Sequence, residues 1–280
     1  MIDIHTHFMP KQVMDKVWAY FDQVGPMTGR EWPISYRLDE QARVARLREF
    51  GVGAFTSMVY PHRPAMAEWL NSWAAEFAAA TPDCLHTATF YPEPSAPDYV
   101  GRAVDNGAVV FKSHIQVGDY SPTHPLLAPV WDALEQAQIP TVIHAGSGPA
   151  PGRYTGPEPV AEVLRQHPRL RLIIAHMGLP EYRAFLDLAH RYPGVHLDTT
   201  MVFTDYTEEN NPFPSDLVPR LRDLVDKVLF GSDYPNIPYR YHHAIDSIVR
   251  LDLGDEWCRK VLYHNAKMLF SNAPALRSGL

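Results

Sequence analysis

Met1-Ile2-Asp3-Ile4-His5-Thr6-His7 opens the chain, a strand-like run over Met1–His5 that delivers two histidines to its end. Side chains two apart on a strand share a face, so His5 and His7 project together. Outward from this stretch the same kind of short Val, Ile, Leu and Phe-rich run recurs at Val52–Tyr60, Cys84–Tyr91, Ala108–His114, Ile139–Ala145, Leu170–Met177, Val195–Thr199 and Lys227–Asp233. Between the runs lie helix patterns with apolar residues three and four apart, at Asp39–Phe50, Ala65–Ala80, Leu126–Gln138, Pro157–His167, Glu181–Tyr192 and Ser215–Val225. Two more, roughly Tyr241–Leu251 and Glu256–Phe270, finish the chain. Gly51, Gly107, Pro168 and Gly194 stand where helices should stop.

Strands alternating with helices are the rhythm of a parallel sheet wrapped by helices. Eight such units close most naturally into a (β/α)8, TIM-like barrel, the open doubly wound sheet being the competitor. The strand ends favour the barrel. They carry His5 and His7, Lys112 and His114, His144, His176 and Asp233, and a barrel gathers its catalytic groups at the C-terminal ends of its strands. With 280 residues, 46% of them apolar and 20% charged, and no linker-like stretch, the expectation is a single domain over 1–280.

A formal charge of -7 with no concentration of Lys and Arg lacks the footprint of a nucleic-acid binder. Cys84 and Cys258, the only cysteines, build neither a disulfide framework nor a thiolate cluster, which fits a reducing cytoplasm. No basic segment leads into an apolar stretch, and no long apolar run occurs, so neither secretion nor a membrane is expected.

Three imidazoles and a carboxylate, His5, His7, His144 and Asp233, suit a divalent ion of borderline softness. Zn²⁺ is the first expectation, and Mn²⁺, Fe²⁺, Co²⁺ or Ni²⁺ would accept the same donors. Specificity should come from the loops. Arg153 follows His144 in a Gly/Pro-rich segment and could clamp a carboxylate, with an exposed solubilising role as its alternative. Tyr60 and Tyr91 are placed to wall a pocket or to pack. Lys112 and His114 are further candidates for contact with a small-molecule substrate. The remaining histidines, His62 among them, are taken as structural or surface. The segment Phe8–Leu38, with Trp18, Tyr20, Phe21 and Trp32, either caps the barrel or meets a second subunit, which leaves a homodimer open. Thr204–Pro214 is a lid or a solvated loop.

Asp3-Ile4-His5-Thr6-His7, Val142-Ile143-His144, Ile174-Ala175-His176-Met177-Gly178 and Leu229-Phe230-Gly231-Ser232-Asp233-Tyr234-Pro235, together with His264-Asn265-Ala266, resemble the amidohydrolase superfamily. Within it they are similar to the amidohydrolase-related branch that includes aminocarboxymuconate-semialdehyde decarboxylase-like enzymes. The resemblance implies a distorted barrel with one ion on His5, His7, His144 and Asp233, and His176 beside its water as acid/base. In two-metal branches a carboxylated lysine bridges the ions, a role that would fall to Lys112.

The leading expectation is a metal-dependent hydrolase in which Asp233 and His176 handle protons while activated water attacks a C–N or C–O bond of a small cyclic or aromatic substrate. The alternative is a metal-dependent non-oxidative decarboxylase, or a hydratase, of a small carboxylic acid. An idle barrel kept for binding is the third reading, disfavoured by the full ligand set.

Overall fold

A computed structural model describes residues 1–25 and 29–277. The eight expected strands appear as nine segments: β1 (Ile2–Asp3), β2 (Ala54–Thr56), β3 (Cys84–Leu85), β4 (Thr87–Thr89), β5 (Val110–His114), β6 (Thr141–His144), β7 (Leu172–Ile174), β8 (Val195–Asp198) and β9 (Val228–Leu229). All pairings are parallel, in the orders β1-β2-β3 and β4-β5-β6-β7-β8-β9.

Two seams join these sheets. The third expected strand breaks at His86, so that β3 pairs with β2 and β4 with β5. At the other seam Ile4 N–H donates to the Phe230 carbonyl (3.0 Å), Asp233 N–H to that of His5 (2.9 Å) and His7 N–H to that of Tyr234 (2.7 Å). Thr6 and Tyr234 add a parallel bridge. The first and last strands are thereby hydrogen-bonded, and the sheet closes into the TIM-type barrel. Ile2, Ala54, Leu85, Val110, Val142 and Leu229, each from a different strand, meet in one buried cluster, as the filled interior of such a barrel requires. Phe111, Ile143, Ile174, Leu197 and Val228 pack outward with the helices.

Helices begin and end within a few residues of expectation. Glu40–Glu49 starts after Asp39, whose side chain accepts from Ala42 N–H at 2.8 Å. Helices Lys11–Phe21 and Ala96–Asp105 are additions to the sequence reading. The last expected helix is three pieces, Asp255–Arg259, a π-helical Lys260–His264 and Asn265–Leu269. The cause is local: the Val261 carbonyl accepts from Phe230 N–H at 3.0 Å and is diverted to the barrel. No helix among the described residues is long and apolar enough to cross a membrane.

Candidate metal centre

β1 ends at Asp3, so His5 and His7 ride on the backbone just beyond it, the stretch bonded to Asp233 and Tyr234 at the seam. Both rings converge on one oxygen. His7 Nε2 lies 2.8 Å and His5 Nε2 3.6 Å from Asp233 Oδ1. Donor atoms of these three residues lie within 4.8 Å of one another.

The far sides of the rings test whether an ion fits. His5 Nδ1 donates to Asp198 Oδ2 at 2.8 Å, and His7 Nδ1 donates to the Met58 carbonyl at 3.1 Å. Each Nδ1 therefore holds the proton and each Nε2 turns its lone pair towards Asp233. This carboxylate-and-carbonyl backing is the arrangement that orients histidine ligands and raises their basicity. His7 makes the sharper case: both its nitrogens face acceptor-only oxygens, which a neutral ring satisfies only with a cation at Nε2. The donor set fits a divalent ion on His5, His7 and Asp233. Such an ion supplies a Lewis acid for a substrate oxygen or for water.

Charges around the cluster are tuned by burial. Burial, and then Lys112, push the His5 imidazole down to about 3, against the pull of Asp198. Burial would raise the Asp233 carboxyl, but the His7 imidazole in contact with it and the nearby rings of His5 and His176 hold it well below the usual carboxylate range. Asp198 behaves alike, its burial outweighed by His5, His176 and Thr200, which hold it at about 2. Lys112, fully buried, has Nζ 3.2 Å from His5 Nε2. Burial lowers its ammonium to about 8, while Asp198 and Asp233 act to keep the charge.

The other strand-end histidines complete the floor. His176 Nδ1 donates to the Thr200 carbonyl at 3.0 Å, which leaves Nε2 as a free base; burial lowers the ring's pKa. His144 Nε2 lies 3.2 Å from the Gly148 carbonyl and so carries the proton, leaving Nδ1 as the atom able to ligate. Its ring stacks on His114 at 4.1 Å and meets His176 edge-on at 4.7 Å. His144 shares the site but stands outside the tight three-residue cluster. His114 Nδ1 accepts from Val117 N–H at 3.3 Å, so its Nε2 carries a hydrogen to donate.

These residues floor a cavity of about 1310 Å³. Tyr60 lines it, edge-on to His7 at 5.6 Å. Arg153 and Tyr91 are not among the lining residues. The Arg153 guanidinium lies 5.0 Å from the centre of the Tyr154 ring, and Tyr91 donates to the Gly118 carbonyl at 3.2 Å. The lining takes in Lys16, Tyr20, Trp32, His62, Arg63 and Trp69 instead. Of the segment expected to cap the barrel or meet a second subunit, residues 8–25 and 29–38 are described, and they cover the mouth, tied down where Trp18 Nε1 and Trp32 Nε1 donate to the Asn236 side chain (3.1 Å) and carbonyl (2.6 Å). Tyr206 and Thr207, from the short helix Asp205–Glu208 after β8, also face the cavity.

Residues 2–271 match the family model Amidohydro_2, described as amidohydrolase. The chain belongs to the amidohydrolase family. No curated protein matches the sequence. Among solved structures, a TIM-barrel protein of uncharacterised function from Bordetella bronchiseptica aligns with TM-score 0.77 at 20% identity, covering 99% of this chain and 100% of its own. A dihydroxybenzoic acid decarboxylase from Polaromonas sp. JS666, with bound manganese and the inhibitor 2-nitroresorcinol, aligns with TM-score 0.63 at 19% identity over 99% and 100%. A probable 2-pyrone-4,6-dicarboxylic acid hydrolase from Acinetobacter baumannii aligns with TM-score 0.61 at 14% identity over 96% and 98%. At these identities the likeness is one of fold.

In this amidohydrolase the backbone itself is bent to serve the site. His176 (φ 53°), Met177 (φ 51°) and Asp233 (φ 73°) occupy the left-handed region, at a cost on the order of 1–3 kcal/mol each. Specific bonds hold them there: His176 N–H donates to Asp198 Oδ1 at 2.8 Å, and Asp233 N–H to the His5 carbonyl. Gly231 is required by space, since a Cβ there would sit 2.2 Å from Thr200 Oγ1 and 2.7 Å from His5 Cβ. Beneath them Asp3 accepts from Ser232 Oγ (2.6 Å), Tyr241 Oη (2.8 Å) and the amides of His5 and Ser232, pinning β1 to the turn that carries Asp233. Asp198 holds the His5 ring through its own side chain, and it is not among the site residues expected from sequence. Its place at the end of the seventh expected strand was the available signal.

Proposed function

We propose that this amidohydrolase is a divalent-metal carboxy-lyase that removes the carboxyl group of a small cyclic or aromatic acid, R–CO₂⁻ + H⁺ → R–H + CO₂. His5, His7, Asp233 and His144 are the proposed ligands, for one ion, with zinc or manganese as candidates. The observation that carries this reading is the charge of the inner cavity. Its one carboxylate, Asp233, belongs to the ligand cluster, while the buried Lys112 ammonium and the His114 Nε2–H are both cavity-lining donors. An anionic carboxylate finds donors here in Lys112 and His114, while the two carboxylates nearest them, Asp233 and Asp198, are each held against the His5 imidazole. Several structures of the same fold bear the name decarboxylase, which supports the choice.

Lys112 and His114 would hold and orient the departing carboxylate. His176, once protonated at Nε2, would deliver the proton that replaces it; a buried imidazolium is a strong acid, since burial favours its neutral form. Hydrolysis of a C–N or C–O bond is the second reading. It is favoured by the unprotonated His176 Nε2, a base placed to take a proton from water.

The two separate in one experiment. Metal-loaded protein is given a panel of aromatic acids, amides and lactones in D₂O and in H₂¹⁸O. The proposal expects CO₂ with one deuterium on the carbon that lost it, and no ¹⁸O in the organic product. Incorporated ¹⁸O without CO₂ would establish hydrolysis instead.

A further inference from the structure

The cavity is larger and more cationic than a single-ring acid requires. About 1310 Å³ exceeds the roughly 300–1,000 Å³ of most small-molecule sites. Its charged lining is Lys16, Arg63 and Lys112 against Asp233, in a chain whose formal charge is -7. Lys112 is accounted for at the floor. Lys16 and Arg63 are exposed, and among the described residues neither forms an ion pair.

They reach the cavity from two segments that pack on one another. Lys16 lies on helix Lys11–Phe21 and Arg63 follows β2, and the two segments share a buried cluster that includes Met14, Met66 and Leu70. Around this mouth apolar groups are left in the open: Tyr20 is 54%, Trp69 42% and Val117 40% exposed, and all three line the cavity. A cationic rim, an apolar wall and a polar floor lie in one continuous space. A low-dielectric cleft of one sign focuses potential on an incoming charge, which a neutral tail would not exploit.

The geometry points to an elongated, amphipathic dianion as the substrate class: one carboxylate at the Lys112 floor, an apolar body along Trp69 and Tyr20, and a second anionic group paired with Lys16 and Arg63. This rests on the proposed reaction for which end reacts, but the distal site is read from binding alone.

The probes are ω-(4-carboxyphenyl)alkanoates of increasing chain length and their primary amides at the alkyl end, titrated calorimetrically into the metal-loaded full chain. At one chain length the diacid should bind at least tenfold tighter than its amide. Lys16→Gln/Arg63→Gln should reduce that preference to less than twofold and leave the amide's affinity unchanged. Lys16→Glu/Arg63→Glu should invert it in favour of the ω-aminoalkyl analogue. Equal binding of diacid and amide at every length, a preference that survives the double variant, or no binding of either probe would overturn the proposal. CO₂ release is followed separately, so absence of turnover with a retained diacid preference would count against decarboxylation and leave the distal site standing.

Discussion

Replacing Asp198 by asparagine should remove one of the nitrogen donors proposed for the metal while leaving the barrel folded. Asp198 receives three protons: from His5 Nδ1 (2.8 Å), from His176 N–H (2.8 Å) and from Thr200 N–H (3.1 Å). An asparagine can keep its carbonyl oxygen on the two amides, which puts its NH₂ against His5 Nδ1. The ring must then move its proton to Nε2, the atom that faces Asp233, and a protonated nitrogen cannot ligate. Loss of such a backing carboxylate typically costs 10–100-fold in metal affinity, roughly 1.4–2.7 kcal/mol. The fold loses less, since one charge-assisted hydrogen bond becomes a neutral one, worth about 1 kcal/mol and a drop in Tm of about 2–4 °C. Competition with a chromophoric chelator reads the affinity, and a thermal melt followed by circular dichroism reads the fold. An affinity within twofold of the parent would refute the tautomer argument.

Other outcomes follow from the same geometry. His176→Asn should retain the ion and lose turnover by at least 100-fold, because Nε2 is free for chemistry; loss of bound metal in elemental analysis would make His176 a ligand. Lys112→Met should leave about one ion per chain by the same analysis, whereas a fall from two to one would show the lysine bridging a pair. Burial depresses His196 from 6.5 to about 4, so the folded chain holds that proton less tightly than the unfolded chain. The stability this contributes is present above pH 6.5 and is lost as pH falls towards 4, amounting to at most about 3 kcal/mol. Urea melts across that window should show a shallower acid limb for His196→Gln, and identical slopes would refute the assignment.

The readable part of the sequence was the part written in strand ends. His5, His7, His144, His176 and Asp233 stand at the ends of apolar runs, where period and residue type coincide, and all five line one cavity. Asp198 also ends an apolar run, but the group it serves is fixed by the 2.8 Å contact with His5, 193 residues away, which no local window contains. Arg153 was attractive for its chemistry and its place after His144, yet loop conformation turns it onto Tyr154. The helix Lys11–Phe21 was hidden by its lack of caps: Pro10 precedes it with no side-chain cap, and no acidic residue lies in its first turn. The π-helical turn at Lys260–His264 depends on a bond to Phe230 that no window of sequence contains.

One piece of backbone does two jobs in this barrel. The seam where the first strand meets the last is closed by bonds from Ile4 to Phe230 and from Asp233 to His5, and the three side chains of the tight candidate cluster leave that backbone, His5 and His7 on one side and Asp233 on the other. Asp3 fastens the same two segments from beneath through Ser232 and Tyr241. An ion on those three side chains would cross-link residues separated by 226 positions in sequence. Opening the seam would then release it, so binding stabilises the closed barrel by the affinity it loses on opening, about 2.7 kcal/mol at a hundredfold excess over Kd. The left-handed φ of Asp233 belongs to the same balance, for its strain is borne where the seam bonds and the ligand contacts converge.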